Sequence, residues 1–352
     1  MKTIIISEIG VNHDGSFKKL MKLIKHSKKI GANYVKIQIY DTNELSSKNS
    51  KAAKYQKKVG DNQFNILKKY ELTNDTIIKI IKYCNQIKIK LLATCFDIKS
   101  FRNYKKISKS NIYKISSGDL NNLPLLFEVA KSKKKIILST GMAKIEDIDN
   151  ALKTIIFAYK KRNNYPNLKE IKKIKLRNNI SKYLKNKIYI LHCVSSYPAM
   201  LNQLNLKYIL TLSNKYNLKI GFSDHSKSLI SGSVAVSLGA KILEKHITLN
   251  NKSKGPDHSS SLNVADFKKY IENIRNTEEM LGSTKKTFSN DEIKNSKVVM
   301  KSIYARKPIK KGEVFSLKNL VVKRPYCKKR PHELWSLLGK KSKKNYYEEQ
   351  VI

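Results

Sequence analysis

Eight short runs rich in β-branched residues recur along the chain, each followed by a segment of helical period. The runs are KTIIISEIG, YVKIQIY, KLLATCF, IYKISSGD, KIILSTGM, KIYILHCVSSYP, KIGFSDHS and KILEKHITL. Between them, segments such as FKKLMKLIKHSKKIG, NDTIIKIIKYCNQIK and EDIDNALKTIIFAYKKR place apolar residues three and four apart, with lysine on the other face. Eightfold strand–helix alternation over about 280 residues predicts an α/β fold of the (β/α)8 TIM barrel type. An open doubly wound sheet is the weaker expectation, because no GxGxxG follows the first run.

At 352 residues the chain can bury one large core and still form a small second domain. We expect the barrel over 1–282, a linker over 283–296, where STKKTFSNDE is polar and turn-rich, and a small β-rich domain over 297–352. There SIYARKPI, KKGEVF and LVVKRP read as short strands around the turn KKGE. Segment 160–187 stretches the connection between the fifth and sixth runs well beyond a usual loop, and reads as an extra helix or a disordered stretch.

The formal charge of +45 raises nucleic acid, acidic membranes and anionic substrates as partners. Lysine, asparagine and isoleucine are abundant along the whole chain, which points to a general compositional bias. The densest basic stretches, 160–187 and 323–344, match no nucleic-acid motif, so no specific nucleic acid is expected. No apolar run is of membrane-spanning length, and MKTIIISEIG is too short for a signal-peptide core; a cytoplasmic protein is expected. Cys84, Cys95, Cys193 and Cys327 are scattered without a CxxC pair and read as buried thiols.

Nearly every run begins apolar and ends polar: Glu8, Lys36 with Gln38, Thr94, Lys114 with Ser116 and Ser117, Ser139, His192, His225 and His246. In a barrel these ends converge on one rim, where active sites of the fold lie. In ILEKHITL, period-two alternation puts Glu244, His246 and Thr248 on one face, which suits an internal network, a metal site or an acid–base pair. His225 and His246 end consecutive runs and could share a divalent ion. Lys36 and Lys114, framed by Thr94, Ser117, Ser139 and Ser223, suit a phosphate or carboxylate; a Schiff-base lysine is the rival reading. Ser223, Asp224 and His225 are adjacent in sequence, the wrong arrangement for a hydrolase triad.

Taken in order, EIGVNHDG, VKIQ, YKISSGD, LSTGM, HCVSSYP, GFSDHS, EKHIT and KGPDHSSSL resemble the sialic acid synthase family over almost the whole chain. The resemblance implies a (β/α)8 barrel followed by an antifreeze-like (SAF) domain. It implies condensation of phosphoenolpyruvate with open-chain N-acetylmannosamine to a nine-carbon 2-keto sugar acid and phosphate, that is, an N-acetylneuraminate synthase. The alternative is an N,N'-diacetyllegionaminate synthase, whose acceptor is a 6-deoxy diacetamido hexose. By match to the family's motifs, His225 and His246 would hold a divalent metal, Mn²⁺ first and Mg²⁺ or Co²⁺ next. Lys36, Thr94, Lys114, Ser117, Ser139, Ser195, Tyr197 and Ser223 would surround phosphoenolpyruvate. Glu8, Gln38 and Asp257 would contact the sugar, with Glu8 and Glu244 close enough to act in catalysis. Lys245 would point to the helix layer with its ammonium in water. A homodimer is implied, the SAF domain of one subunit covering the other's barrel and Arg324 reaching the substrate's N-acetyl group. Ser195 stands where some relatives have asparagine, and YCKKRPHEL replaces the family's glycine-rich continuation after VKRP. A reading from another class is a catalytically silent barrel that binds polyanions.

Overall fold

Successive side chains of a strand face opposite ways, and here that alternation separates a barrel interior from a helix-covered exterior. The computed structural model describes residues 2–53, 55–57, 59–161 and 164–352. It divides into two compact units, 1–282 and 283–352. In the first, strands β1 (Ile4–Gly10), β2 (Tyr34–Ile39), β3 (Lys90–Cys95), β4 (Ile112–Ile115), β5 (Lys135–Ser139), β6 (Ile188–Cys193), β7 (Lys219–Asp224) and β8 (Ile242–Thr248) pair in parallel in chain order. β1 also pairs with β8, from Ile4 opposite Ile242 to Glu8 opposite His246, which closes the barrel. A two-residue strand β9 (Leu262–Asn263) lies beside the end of β8.

A principal helix follows each barrel strand: Phe17–Lys29, Asn74–Gln86, Ile98–Ile107, Leu123–Ala130, Ile145–Lys160, Tyr208–Tyr216, Ser231–Ser237 and Val264–Leu281. Ser16, Thr73, Asp97, Asn122 and Asn263 cap five of them through side-chain oxygens, each contributing about 1 kcal/mol. The expected (β/α)8 barrel is therefore present. Ile6, Leu92, Ile112, Ile137, Tyr189, Leu191 and Ile242 form a buried apolar cluster, and their inward parity carries on to the polar strand ends above them. Residues of opposite parity, among them Ile5, Val35, Leu138, Ile190, Phe222 and Leu243, join the main core beneath the helices.

Four expectations change. His192 has outward parity, so its ring stacks on Phe222 (5.8 Å) and Nε2 meets the Leu204 carbonyl (2.6 Å); the inward neighbour at the rim is Cys193. Lys245 does face the helix layer, yet it is 1% exposed, because Asp224 (2.7 Å) and the Ser226 carbonyl (2.6 Å) hold its ammonium. Cys84, Cys95 and Cys193 are buried whereas Cys327, past the last strand of the second unit, is exposed. Part of the expected linker is a helix, Asn290–Val299, begun by a reciprocal Ser289–Glu292 cap.

Segment 160–187 contains short helices at Leu168–Lys172 and Leu176–Asn179; its Arg162 and Asn163 lie outside the described residues. Ile180 and Leu184 belong to the main core, which fixes the segment on the barrel and leaves its lysines outward. The unit 283–352 pairs β10 (Ser302–Ala305) with β11 (Leu320–Lys323) in antiparallel fashion. Ile303, Ala305, Ile309, Phe315, Leu320 and Ile352 form its core. Among the described residues no helix is long and apolar enough to cross a membrane.

Candidate active site

The inward polar residues surround a pocket of about 980 Å³ at the ends of the strands. Register sets its floor: Glu8 lies opposite Lys36 on one side and His246 on the other, Thr94 opposite Lys114, and Ser223 opposite Glu244. The Lys36 ammonium is 2.8 Å from Glu244 Oε1 and 3.5 Å from Glu8 Oε1. Lys114 donates to Ser139 Oγ (2.7 Å) and stands 3.6 Å from Glu244. Ser223 donates to Glu244 Oε1 (3.1 Å), and Gln38 Nε2 to Glu8 Oε1 (3.1 Å).

These contacts push the two carboxyls apart. Burial, with Glu244 nearby, raises Glu8 to about 7 against the pull of Lys36. Burial acts on Glu244 as well, but Lys114 and Lys36 overcome it and hold that carboxyl well below the usual range. Burial depresses Lys114 to about 8 despite Glu244; at Lys36 the two carboxylates outweigh burial and raise it. The floor thus holds two ammonium groups, one firmly ionised carboxylate and one carboxyl near its titration point, a net positive charge in a buried place.

The two imidazoles meet at a ring-centroid distance of 5.5 Å. His225 Nδ1 bonds the Val194 carbonyl at 2.7 Å, which leaves Nε2 as its free lone-pair donor. Burial, then His225 and Lys36, push His246 well below its usual value, so its ring is neutral; its Nδ1 is buried with no hydrogen-bond partner. Such a pair fits a divalent ion whose other positions are left to water or substrate. Among the described residues there is no cluster of three or more His, Cys, Asp or Glu arranged for a metal.

Loops complete the mouth. A Cβ at Gly141 would come within 2.3 Å of Ser195 Oγ and 2.9 Å of Ser117 Oγ, so glycine there lets both hydroxyls approach the Gly141 backbone. His258 bonds Thr248 Oγ1 (2.6 Å) and Asp14 (2.9 Å), tying together the loops after β8 and β1. Its neighbour Asp257 is thereby set 3.6 Å from His246 Nδ1. The Tyr197 ring is 4.2 Å from that of His225.

A family model described as the NeuB family matches residues 23–286. The chain belongs to the NeuB family. The N,N'-diacetyllegionaminic acid synthase of Campylobacter jejuni subsp. jejuni is 37% identical to it, covering 100% of this chain and 99% of the relative. A pseudaminic acid synthase of the same subspecies is 32% identical, covering 98% and 93%. The crystal structure of N-acetylneuraminic acid synthetase from Leptospira borgpetersenii superposes with a TM-score of 0.68 at 28% identity, covering 84% of this chain and 90% of that one.

In this NeuB-family chain all fourteen barrel residues matched to the family's motifs, Glu8 through Asp257, line this pocket. Arg324 belongs to the other unit, 283–352, and is exposed just beyond β11. Sequence reasoning missed Cys193, whose Sγ is 3.7 Å from His225 Nδ1, and the aromatic and aliphatic residues of 40–73. Strand parity was the available signal for the first; the unusual length between β2 and its helix was the signal for the second.

Proposed function

We propose that this chain is a phosphoenolpyruvate-dependent sugar acid synthase. It joins C3 of phosphoenolpyruvate to the aldehyde carbon of an open-chain N-acetylated aminohexose; water enters at C2 and phosphate leaves. The observation that carries the reading is the floor, where buried Lys36 and Lys114 are ringed by the hydroxyls of Thr94, Ser139 and Ser223. Its positive balance complements a phosphate and a carboxylate together, and the Thr94 hydroxyl, buried without a partner, can donate to such a ligand. Lys36 and Lys114 hold the anion, with Ser117, Ser195 and Tyr197 at its edge. Glu244 keeps both ammonium groups charged and accepts from a water through Oε2. Glu8, near its titration point, holds or releases a proton at Oε2 beside Gln38 and Asp257. His225 and His246 would hold the divalent ion, which when bound supplies Lewis acidity to the aldehyde oxygen.

For the acceptor, 37% identity to the N,N'-diacetyllegionaminic acid synthase against 28% to the sialic acid synthetase supports the 6-deoxy diacetamido hexose over N-acetylmannosamine. The family resemblance also supports a homodimer in which Arg324 of a SAF domain serves the partner's acceptor site. A Schiff-base aldolase acting through Lys114 has one observation in its favour, the depressed ammonium pKa. Weighing against it, that nitrogen faces the Glu244 carboxylate and donates to Ser139.

The test is phosphate release from phosphoenolpyruvate with Mn²⁺, each acceptor offered in turn, with and without EDTA. Acceptor-dependent release that EDTA abolishes is expected. Chelator-indifferent consumption of pyruvate, trapped by borohydride on Lys114, would replace this reading with the aldolase.

A further inference from the structure

The 34 residues between Ile39 and Asn74 far exceed the about two to six of an ordinary strand-to-helix connection. Lys54 and Lys58 lie outside the described residues; the others are built rather than loose. Tyr40 OH donates to the Leu67 carbonyl (3.0 Å), Thr42 Oγ1 to Glu71 Oε2 (2.6 Å), and the Ala52 N–H to the Asp61 carbonyl (2.8 Å). Ala52, Ile66 and Tyr70 pack with Val11 in a separate small core.

This segment turns carbon toward the pocket. Leu45, Ala53, Ile66 and Leu67 line it together with the rings of Tyr55 and Tyr70. Of the two amides it adds, Gln63 donates to Gln56 Oε1 (3.4 Å), which also accepts from the Ala53 N–H (3.0 Å). The opposite side of the pocket is the charged floor. Between them stands Asp257, close enough to Tyr40, Tyr55, Tyr70 and Tyr197 to raise all four phenols, though burial is the larger cause in each.

With the aldehyde end at His225 and His246, the rest of an open-chain sugar runs past Asp257, which suits its hydroxyls, and ends against the carbon wall. Against Leu45 and Leu67 a terminal CH₂OH loses water that their carbon cannot replace; a terminal CH₃ buries cleanly. We propose that segment 40–73 is the acceptor-selecting wall of the site, with Leu45 and Leu67 favouring an acceptor whose far end is a methyl group. This rests on the synthase reading above. It assigns the selection to residues outside the eight strands.

The experiment uses the full-length protein and two acceptors differing by one oxygen, N-acetylmannosamine and its 6-deoxy analogue, with phosphate release as the readout. The wild type is expected to show kcat/KM roughly tenfold higher for the 6-deoxy sugar. Leu45→Ser and Leu67→Ser, at half-buried positions, should bring that ratio toward one while the KM for phosphoenolpyruvate stays put. The ratio is independent of the fraction of folded protein, and two variants guard against one failing to fold. Turnover of both sugars at equal kcat/KM in the wild type, or an unchanged ratio in both variants, would overturn the wall and leave the synthase standing. Release with neither sugar nor with the diacetamido acceptor would remove the synthase reading and this inference with it.

Discussion

Strands β7 and β8 carry two ionic clusters one residue apart in register, Ser223 opposite Glu244 facing inward and Asp224 opposite Lys245 facing outward. In the outer cluster the Asp224 carboxylate accepts from Lys245 (2.7 Å), Ser231 Oγ (2.5 Å), Ser226 N and Oγ (2.9 and 2.7 Å) and Tyr270 OH (3.2 Å). None of these side chains has an unpaired buried atom. In the inner cluster Glu8 Oε2, Glu244 Oε2, Thr94 Oγ1 and His246 Nδ1 are all buried without a hydrogen-bond partner. Each such atom costs roughly 1–3 kcal/mol until water or a ligand meets it. The difference teaches that burial of charge does not mark a site; incomplete satisfaction of buried charge does.

Substitutions on the two sides should therefore fail in different ways. The largest effect belongs to the outer pair: Lys245→Met leaves Asp224 buried and uncompensated, so urea unfolding should show a loss of about 3–5 kcal/mol. On the inner side Lys36→Met leaves Glu244 compensated by the second ammonium, Lys114 at 3.6 Å. We expect kcat/KM to fall at least about a hundredfold while stability stays within about 1 kcal/mol of wild type. Equal destabilisation by both would break the contrast. His246→Ala should lower the Mn²⁺ retained after dialysis, read by elemental analysis, without moving the unfolding midpoint downward. The smallest expected effect sharpens the comparison: Tyr270→Phe removes one of several bonds to Asp224 and should cost about 1.5 kcal/mol. Ser223→Ala, inside, should change activity and leave stability nearly untouched.

The barrel and most of the floor were legible because both follow from period-two alternation. Once the strands are placed, Ile6 inward implies Glu8 inward, and Ile242 inward implies Glu244 and His246. His192 escaped because a polar residue at a strand end does not declare its face; only counting back from Leu191 does. Lys245 escaped because the partner that keeps it from water, Asp224, sits on the neighbouring strand, and register is a tertiary fact. The 40–73 wall escaped for a further reason: Tyr55, Ile66 and Leu67 come from irregular chain and short helices, where spacing carries no information about which way a side chain faces the pocket.

The most direct measurement is the unfolding midpoint of wild type and Lys36→Met against phosphoenolpyruvate concentration. If the unsatisfied floor is the anion site, wild type gains about 2.7 kcal/mol at a hundred times its Kd and Lys36→Met gains none over the same range. An equal gain in both proteins, or none in wild type, would contradict the account.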